Sequence, residues 1–118
     1  MSEPLDATLT VAPADEGLAL TLTVENADAD AVDLTFADGQ RAEFVARDAG
    51  GGATVWRWSD GRGFAMALGS ETLASGESVD YEGEWESPPP GEYEVTGSLA
   101  ASDVDASASM TVVVPDEE

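Results

Sequence analysis

Cysteine, histidine and lysine are all absent from the 118-residue sequence. Without cysteine there is neither a disulfide framework nor a thiol nucleophile. Without histidine there is no imidazole base and no imidazole metal ligand, and the lack of lysine removes Schiff-base chemistry. A pair of carboxylates could still hydrolyse a glycoside, but a chain of this size offers little room for a deep cleft. We therefore expect no enzymatic activity.

Basic residues are scarce, and acidic residues dominate the sequence. Four arginines stand against 25 aspartates and glutamates, which gives a formal net charge of −21. Molar salt shortens the Debye length to about 3 Å and makes such self-repulsion tolerable. The composition is typical of a salt-accumulating halophile, although an acidic protein of an ordinary organism is the alternative. Nucleic acid and anionic membranes are excluded as partners by the same charge.

Targeting signals are also missing from the sequence. The first ten residues, MSEPLDATLT, contain no basic segment followed by an apolar run, so no signal peptide is predicted. No stretch approaches the ~20 apolar residues of a membrane span. We expect a cytoplasmic, monomeric protein with one domain over residues 1–118 and short tails at 1–4 and 115–118, although a domain cut from a longer chain is the alternative.

The strongest pattern present is the alternation of apolar with polar residues. Leu18, Leu20, Leu22 and Val24 share one parity, and the same spacing recurs in the segments 5–11, 32–36, 79–85, 93–99 and 110–114. Period two requires a sheet with one dry and one wet face. Glycine-rich and proline-rich breaks separate these runs about every ten residues. The pattern predicts an all-β fold, an antiparallel sandwich of eight or nine short strands.

Two Asp-Gly pairs are candidates for tight hairpin turns. Asp38-Gly39 separates the strand ending at Phe36 from the next one, and Asp60-Gly61 follows the run from Val55 to Trp58. Asp-Gly readily adopts the positive φ values of such turns.

Metal binding is not expected. Asp28, Asp30 and Asp33 are spaced like the start of a calcium loop, but such a loop needs glycine at position six and glutamate at position twelve. Those positions hold Asp33 and Gly39. We attribute the aspartates to turns and predict neither a metal nor a cofactor.

One segment, 41–62, lacks the acidic surplus. It contains all four arginines, namely Arg41, Arg47, Arg57 and Arg62, and only three acids. It also contains Trp56 and Trp58, and Trp and Arg are enriched at binding hot spots. We predict a partner-binding site at Arg41, Trp56, Arg57, Trp58, Asp60, Gly61, Arg62 and Phe64. The alternative is that the arginines pair with nearby carboxylates and the tryptophans pack into the core.

Several motifs are more specific than composition. They are FADGQRAEFVARD (36–48), VWRWSDGRGF (55–64), ETLASGESVDYEGEW (71–85) and PPGEYEVTGSL (89–99). In this order and spacing they resemble the BsuPI-type intracellular proteinase inhibitors over roughly residues 18–100. The resemblance implies an immunoglobulin-like sandwich that inhibits intracellular serine proteases, with a subtilisin-type protease as the partner. It assigns no reactive-site residue.

An inhibitor can present a stiff loop in substrate-like form, because a pre-organised loop loses little entropy on binding. The first candidate is the loop from Ser59 to Gly63, where Arg62 could enter a specificity pocket. An ordinary hairpin turn is the alternative for this loop. For the whole chain, the alternative function is a general protein-interaction module or accessory domain without protease specificity.

Overall fold

The computed structural model describes residues 5–14, 17–37, 39–60, 68–101, 104 and 106–115. Within these ranges the chain forms nine β-strands and no helix. In chain order β1 to β9 they are Leu5–Ala14, Gly17–Asn26, Val32–Phe36, Ala42–Asp48, Thr54–Arg57, Gly69–Leu73, Ser78–Glu86, Gly91–Leu99 and Ser107–Val114. The predicted all-β fold and the predicted number of strands are confirmed.

The strands form two main sheets and one short pair, and all pairings are antiparallel. Sheet I has the order β1-β2-β7, and sheet II has the order β5-β4-β8-β9. Strand β3 pairs with β6, and Phe36 at the end of β3 forms an isolated bridge to Ala101 just beyond β8. Contacts between β1 and β9 join the two main sheets along one side. This is an immunoglobulin-like antiparallel sandwich.

The apolar and polar residues that alternate in the sequence lie on opposite faces of each sheet. In sheet I, Leu20 of β2 lies opposite Gly83 of β7, and Leu22 lies opposite Tyr81. Leu20 and Leu22 are fully buried, whereas the intervening Thr21 is partly exposed. Burial of these leucines contributes roughly 1.5–3 kcal/mol each. The inward residues of both sheets meet in one hydrophobic core.

Asp38 of the predicted turn Asp38-Gly39 lies outside the described residues, and the strands on either side of it do not pair with each other as a hairpin requires. Strand β3 before it pairs with β6, whereas β4 after it pairs with β5 and β8. The chain therefore passes from one sheet to another at this point. Leu34 and Phe36 of β3 are fully buried, which stabilises β3 in its place beside β6.

Two glycines allow the sheets to approach closely around Phe44 of β4. A Cβ atom on Gly83 would lie 2.9 Å from the Phe44 ring and 3.0 Å from the Trp58 ring. A Cβ on Gly97 would lie 3.2 Å from the other edge of Phe44. The aromatic ring therefore occupies space that a side chain at either position would fill. This packing positions the residues around Trp58.

Candidate partner-binding site

The predicted site residues of β5 point in different directions because the strand alternates. Trp56 faces the core and stacks on Trp85 of β7, with ring centroids 5.2 Å apart and an interplanar angle of 14°. Trp85 in turn meets the Tyr93 ring edge to face at 5.1 Å. Trp56 is thus a partly buried residue packed against the core, and its role in partner binding stays a prediction.

Trp58 lies just beyond β5, in the turn that leaves the strand. Its backbone N–H donates to the Phe44 carbonyl at 2.9 Å, and its ring meets the Phe44 ring at 81° with centroids 6.2 Å apart. The ring is partly exposed and borders two open clefts. One, of about 290 Å³, also includes Arg41 and Tyr81. The other, of about 420 Å³, lies along Glu82 and Glu84 of β7.

Glu43 of β4 fixes the turn through hydrogen bonds. This residue was not identified from the sequence. Its carboxylate accepts hydrogen bonds from the Ser59 backbone N–H at 3.1 Å and from the Ser59 hydroxyl at 2.5 Å. The Asp60 N–H donates to the Arg57 carbonyl at 3.1 Å. Glu43 lies outward on β4, one position before Phe44, so no motif distinguished it from the other surface acids.

Arg57 is exposed beside this carboxylate. Its guanidinium lies 3.9 Å from the Glu43 carboxylate, and 44% of the Arg57 side chain is accessible to solvent. At this length the pair is weak, since exposed ion pairs contribute about 0–1 kcal/mol. Arg57 is therefore available to a partner.

Arg41 is engaged within the chain. Its guanidinium lies 4.3 Å above the Phe36 ring centroid, and its Nε donates to Glu71 at 3.1 Å. The same carboxylate accepts a hydrogen bond from the Tyr81 hydroxyl at 3.4 Å. Burial, followed by the negative charge of Glu71, raises the pKa of Tyr81 to about 12. Arg41 thus links β3, β6 and β7 from the start of β4.

Three predicted site residues, Gly61, Arg62 and Phe64, lie outside the described residues, as does most of the predicted loop from Ser59 to Gly63. Among the residues described, Arg41 and Trp58 line one cleft, and Arg57 and Asp60 are joined by the turn. No cluster of three potential metal ligands occurs in the described ranges. No helix in this part of the chain is long and apolar enough to cross a membrane.

A match to a family model shows which protein family this sandwich belongs to. Residues 5–104 match the model described as BsuPI, intracellular proteinase inhibitor. The chain belongs to the BsuPI family. The match extends from β1 to beyond β8 and confirms the resemblance drawn from motifs such as VWRWSDG. The description of this family names inhibition of intracellular proteinases.

Solved structures share the sandwich at low sequence identity. Spo0M, a sporulation control protein from Bacillus subtilis, has a TM-score of 0.62 at 14% identity, over 99% of this chain and 51% of Spo0M. The β-glucosidase 3B of Thermotoga neapolitana has a TM-score of 0.52 at 20% identity, over 98% of this chain and 16% of the enzyme. The BsuPI chain therefore spans about half of Spo0M, and these likenesses show the fold alone. No curated protein sequence matches significantly.

Proposed function

We propose that this chain inhibits an intracellular serine proteinase of the subtilisin type by protein–protein binding, through the turn that follows β5. The BsuPI match supports proteinase inhibition in general. The absence of histidine, cysteine and lysine supports a role without catalysis. The proposal includes action as a cytoplasmic monomer with one domain, in a cell that accumulates salt.

The observation that carries the proposal is the fixed conformation of this turn. A flexible loop would lose about 0.5–1.5 kcal/mol for each side chain that becomes ordered on binding. Here the Glu43 carboxylate accepts hydrogen bonds from the backbone N–H and the hydroxyl of Ser59. The backbone N–H of Trp58 donates to the carbonyl of Phe44 in β4. The chain thereby obtains a stiff turn without any disulfide.

The residues around the turn suit a protein contact. Arg57 is exposed and weakly paired, and Trp58 offers a partly exposed ring. An arginine guanidinium can bind a carboxylate through two parallel hydrogen bonds, and tryptophan supplies a large contact area with few rotatable bonds. We propose that Trp56 and Arg41 support this surface from inside the domain, because the Trp56 ring stacks on Trp85 and the Arg41 guanidinium bonds to Glu71.

The proposal is tested by titrating the protein into a subtilisin-type intracellular serine proteinase in high salt, with peptide hydrolysis as the readout. We expect inhibition to saturate, and Arg57→Ala to weaken it by about 1–2 kcal/mol. Thr21→Ala, on the far sheet, is the control and should inhibit like the wild type. Full proteinase activity at saturating wild-type protein would exclude the proposed inhibition.

A general interaction module is the second candidate function. It is supported by the sandwich fold, which hosts many functions and is shared with Spo0M, a sporulation control protein. Capture of a non-proteinase partner from native lysate, with no effect on proteinase activity, would support this candidate over inhibition.

A further inference from the structure

The outer faces of the two sheets differ sharply in charge. The pairing registers place six carboxylates and no basic residue on the outer face of sheet I: Asp6, Glu25, Asp80, Glu82, Glu84 and Glu86. On the outer face of sheet II, the registers place Arg57 beside Val45, and Arg47 beside Glu94. One side of the sandwich is therefore uniformly acidic, whereas the other is mixed, with two arginines beside Glu43, Glu92 and Glu94.

These arginines border an apolar centre. Val45 points outward from β4, yet only 8% of it is exposed. It lies between Arg57 of β5 and Thr96 of β8 in the pairing register. We name Val45, Arg47, Arg57 and Thr96 the arginine patch. Because Val45 is already packed within the chain, the groups that the arginine patch offers to a partner are its two arginines, a residue type enriched at binding hot spots.

The charges of the arginine patch are available to an outside carboxylate. The Glu43 carboxylate lies 3.9 Å from the Arg57 guanidinium and already accepts two hydrogen bonds from Ser59. Arg47 lies in register with Glu94, yet no ion pair within 4 Å joins it to a carboxylate in the part of the chain that the structure describes. This is notable in a chain with 25 acids and four bases.

We propose that the arginine patch is the docking surface for a carboxylate-rich surface of the target proteinase. The proposal rests on the proposed inhibitory function and identifies the chemistry of the partner. The outer face of sheet I repels such a partner, because like charges that face each other reduce affinity. The arginine patch can instead pair its guanidinium groups with carboxylates in the bidentate geometry that arginine favours.

A second copy of this chain fits the arginine patch less well than a proteinase does. The acidic face available on that copy is the outer face of sheet I. A contact between sheet II of one molecule and sheet I of the next joins different surfaces, and such contacts form open filaments unless they close into a ring. An acidic proteinase surface requires no such repetition.

The first experiment compares two variants with the same net charge. Arg47→Gln removes one positive charge from the arginine patch, and Thr21→Glu adds one negative charge to the opposite face. The dissociation constant for a catalytically inactive subtilisin-type proteinase is measured by calorimetry. We expect Arg47→Gln to raise it about tenfold and Thr21→Glu to leave it within about twofold. Equal weakening by both variants would show an effect of net charge alone and overturn the proposal.

A second experiment does not need the proteinase. Hexaglutamate peptide is titrated into the ¹⁵N-labelled protein at the lowest salt at which the protein stays folded. We expect shifts at the Arg47 and Arg57 guanidinium groups and at the Val45 and Thr96 amides. Shifts elsewhere, or none, would overturn the arginine patch as a carboxylate-binding surface. If hexaglutamate binds there but no proteinase binds wild-type protein, the inhibitory function fails and the proteinase is replaced by another acidic partner.

Discussion

Glu43 provides the most direct test of how this sandwich stiffens its surface without disulfides. Replacing it with alanine removes the acceptor of the Ser59 N–H and of the Ser59 hydroxyl. The same change also removes the acceptor of the Phe44 N–H at 3.1 Å. The turn would then have to satisfy these donors with water, and its conformation would broaden.

The expected magnitude follows from the number of bonds and their exposure. A hydrogen bond to a charged group contributes about 1.5–3 kcal/mol when buried. The Glu43 side chain is 19% exposed, so water replaces part of this loss. Its removal also relieves some repulsion in a chain of net charge −21. We therefore expect Glu43→Ala to lower the free energy of unfolding by about 2 kcal/mol. Glu43→Gln, which keeps one acceptor oxygen, should lower it by about 1 kcal/mol.

Denaturant unfolding in high salt measures these changes, and Glu84→Ala is the matched control. Glu84 is an exposed acid on the outer face of sheet I, so its removal should leave stability unchanged or raise it slightly. Proteinase inhibition by Glu43→Ala should weaken more than stability alone explains, because the turn must be ordered on binding. Unchanged stability and unchanged inhibition for Glu43→Ala would refute the role of Glu43 in fixing the turn.

Three further predictions concern the core, pH and salt. Trp85 is 3% exposed and contacts two other rings, so Trp85→Ala should lower stability by about 3–5 kcal/mol in denaturant unfolding; a wild-type value would refute its place in the core. The pKa of Tyr81 is raised from 10.0 to about 12, so stability should fall as pH rises through this window, because the unfolded state loses its proton first. Melting curves of Tyr81→Phe should show a smaller fall. Screening should raise the melting temperature steeply between low and molar salt, and equal values at both ends would contradict the halophilic interpretation.

Much of the fold could be predicted because strands with one buried face have a signature in the sequence. Leu20 and Leu22 alternate with threonines, and their burial follows from parity alone. The strand Gly69–Leu73 had no such signature, since only Leu73 at its end is buried. Its pairing with β3 depends on contacts between residues more than 30 positions apart. Local patterns carry no information about pairings of this kind.

The site was predicted less completely than the fold, because its geometry depends on hydrogen bonds between distant residues. Composition indicated the segment 41–62, but Glu43 resembled any other surface acid until Ser59 was seen to lie against it. The same limit applies to Asn26, which is fully buried and whose amide donates to the carbonyls of Asp30 and Leu73 at 2.9 Å each. Polar residues that join two loops have no periodicity by which a sequence could indicate them.

High salt changes what the arginine patch can contribute to binding. At about 1 M salt the Debye length is about 3 Å, so attraction over longer distances is screened. Arg47 and Arg57 would then attract a distant partner only weakly, and their contribution to binding would come from direct bonds to carboxylates. Guanidinium suits this regime better than ammonium, because its planar donors keep their geometry and are weakly hydrated. The absence of lysine and the presence of arginine beside an apolar centre are therefore consistent with a surface that binds by contact and not by long-range attraction.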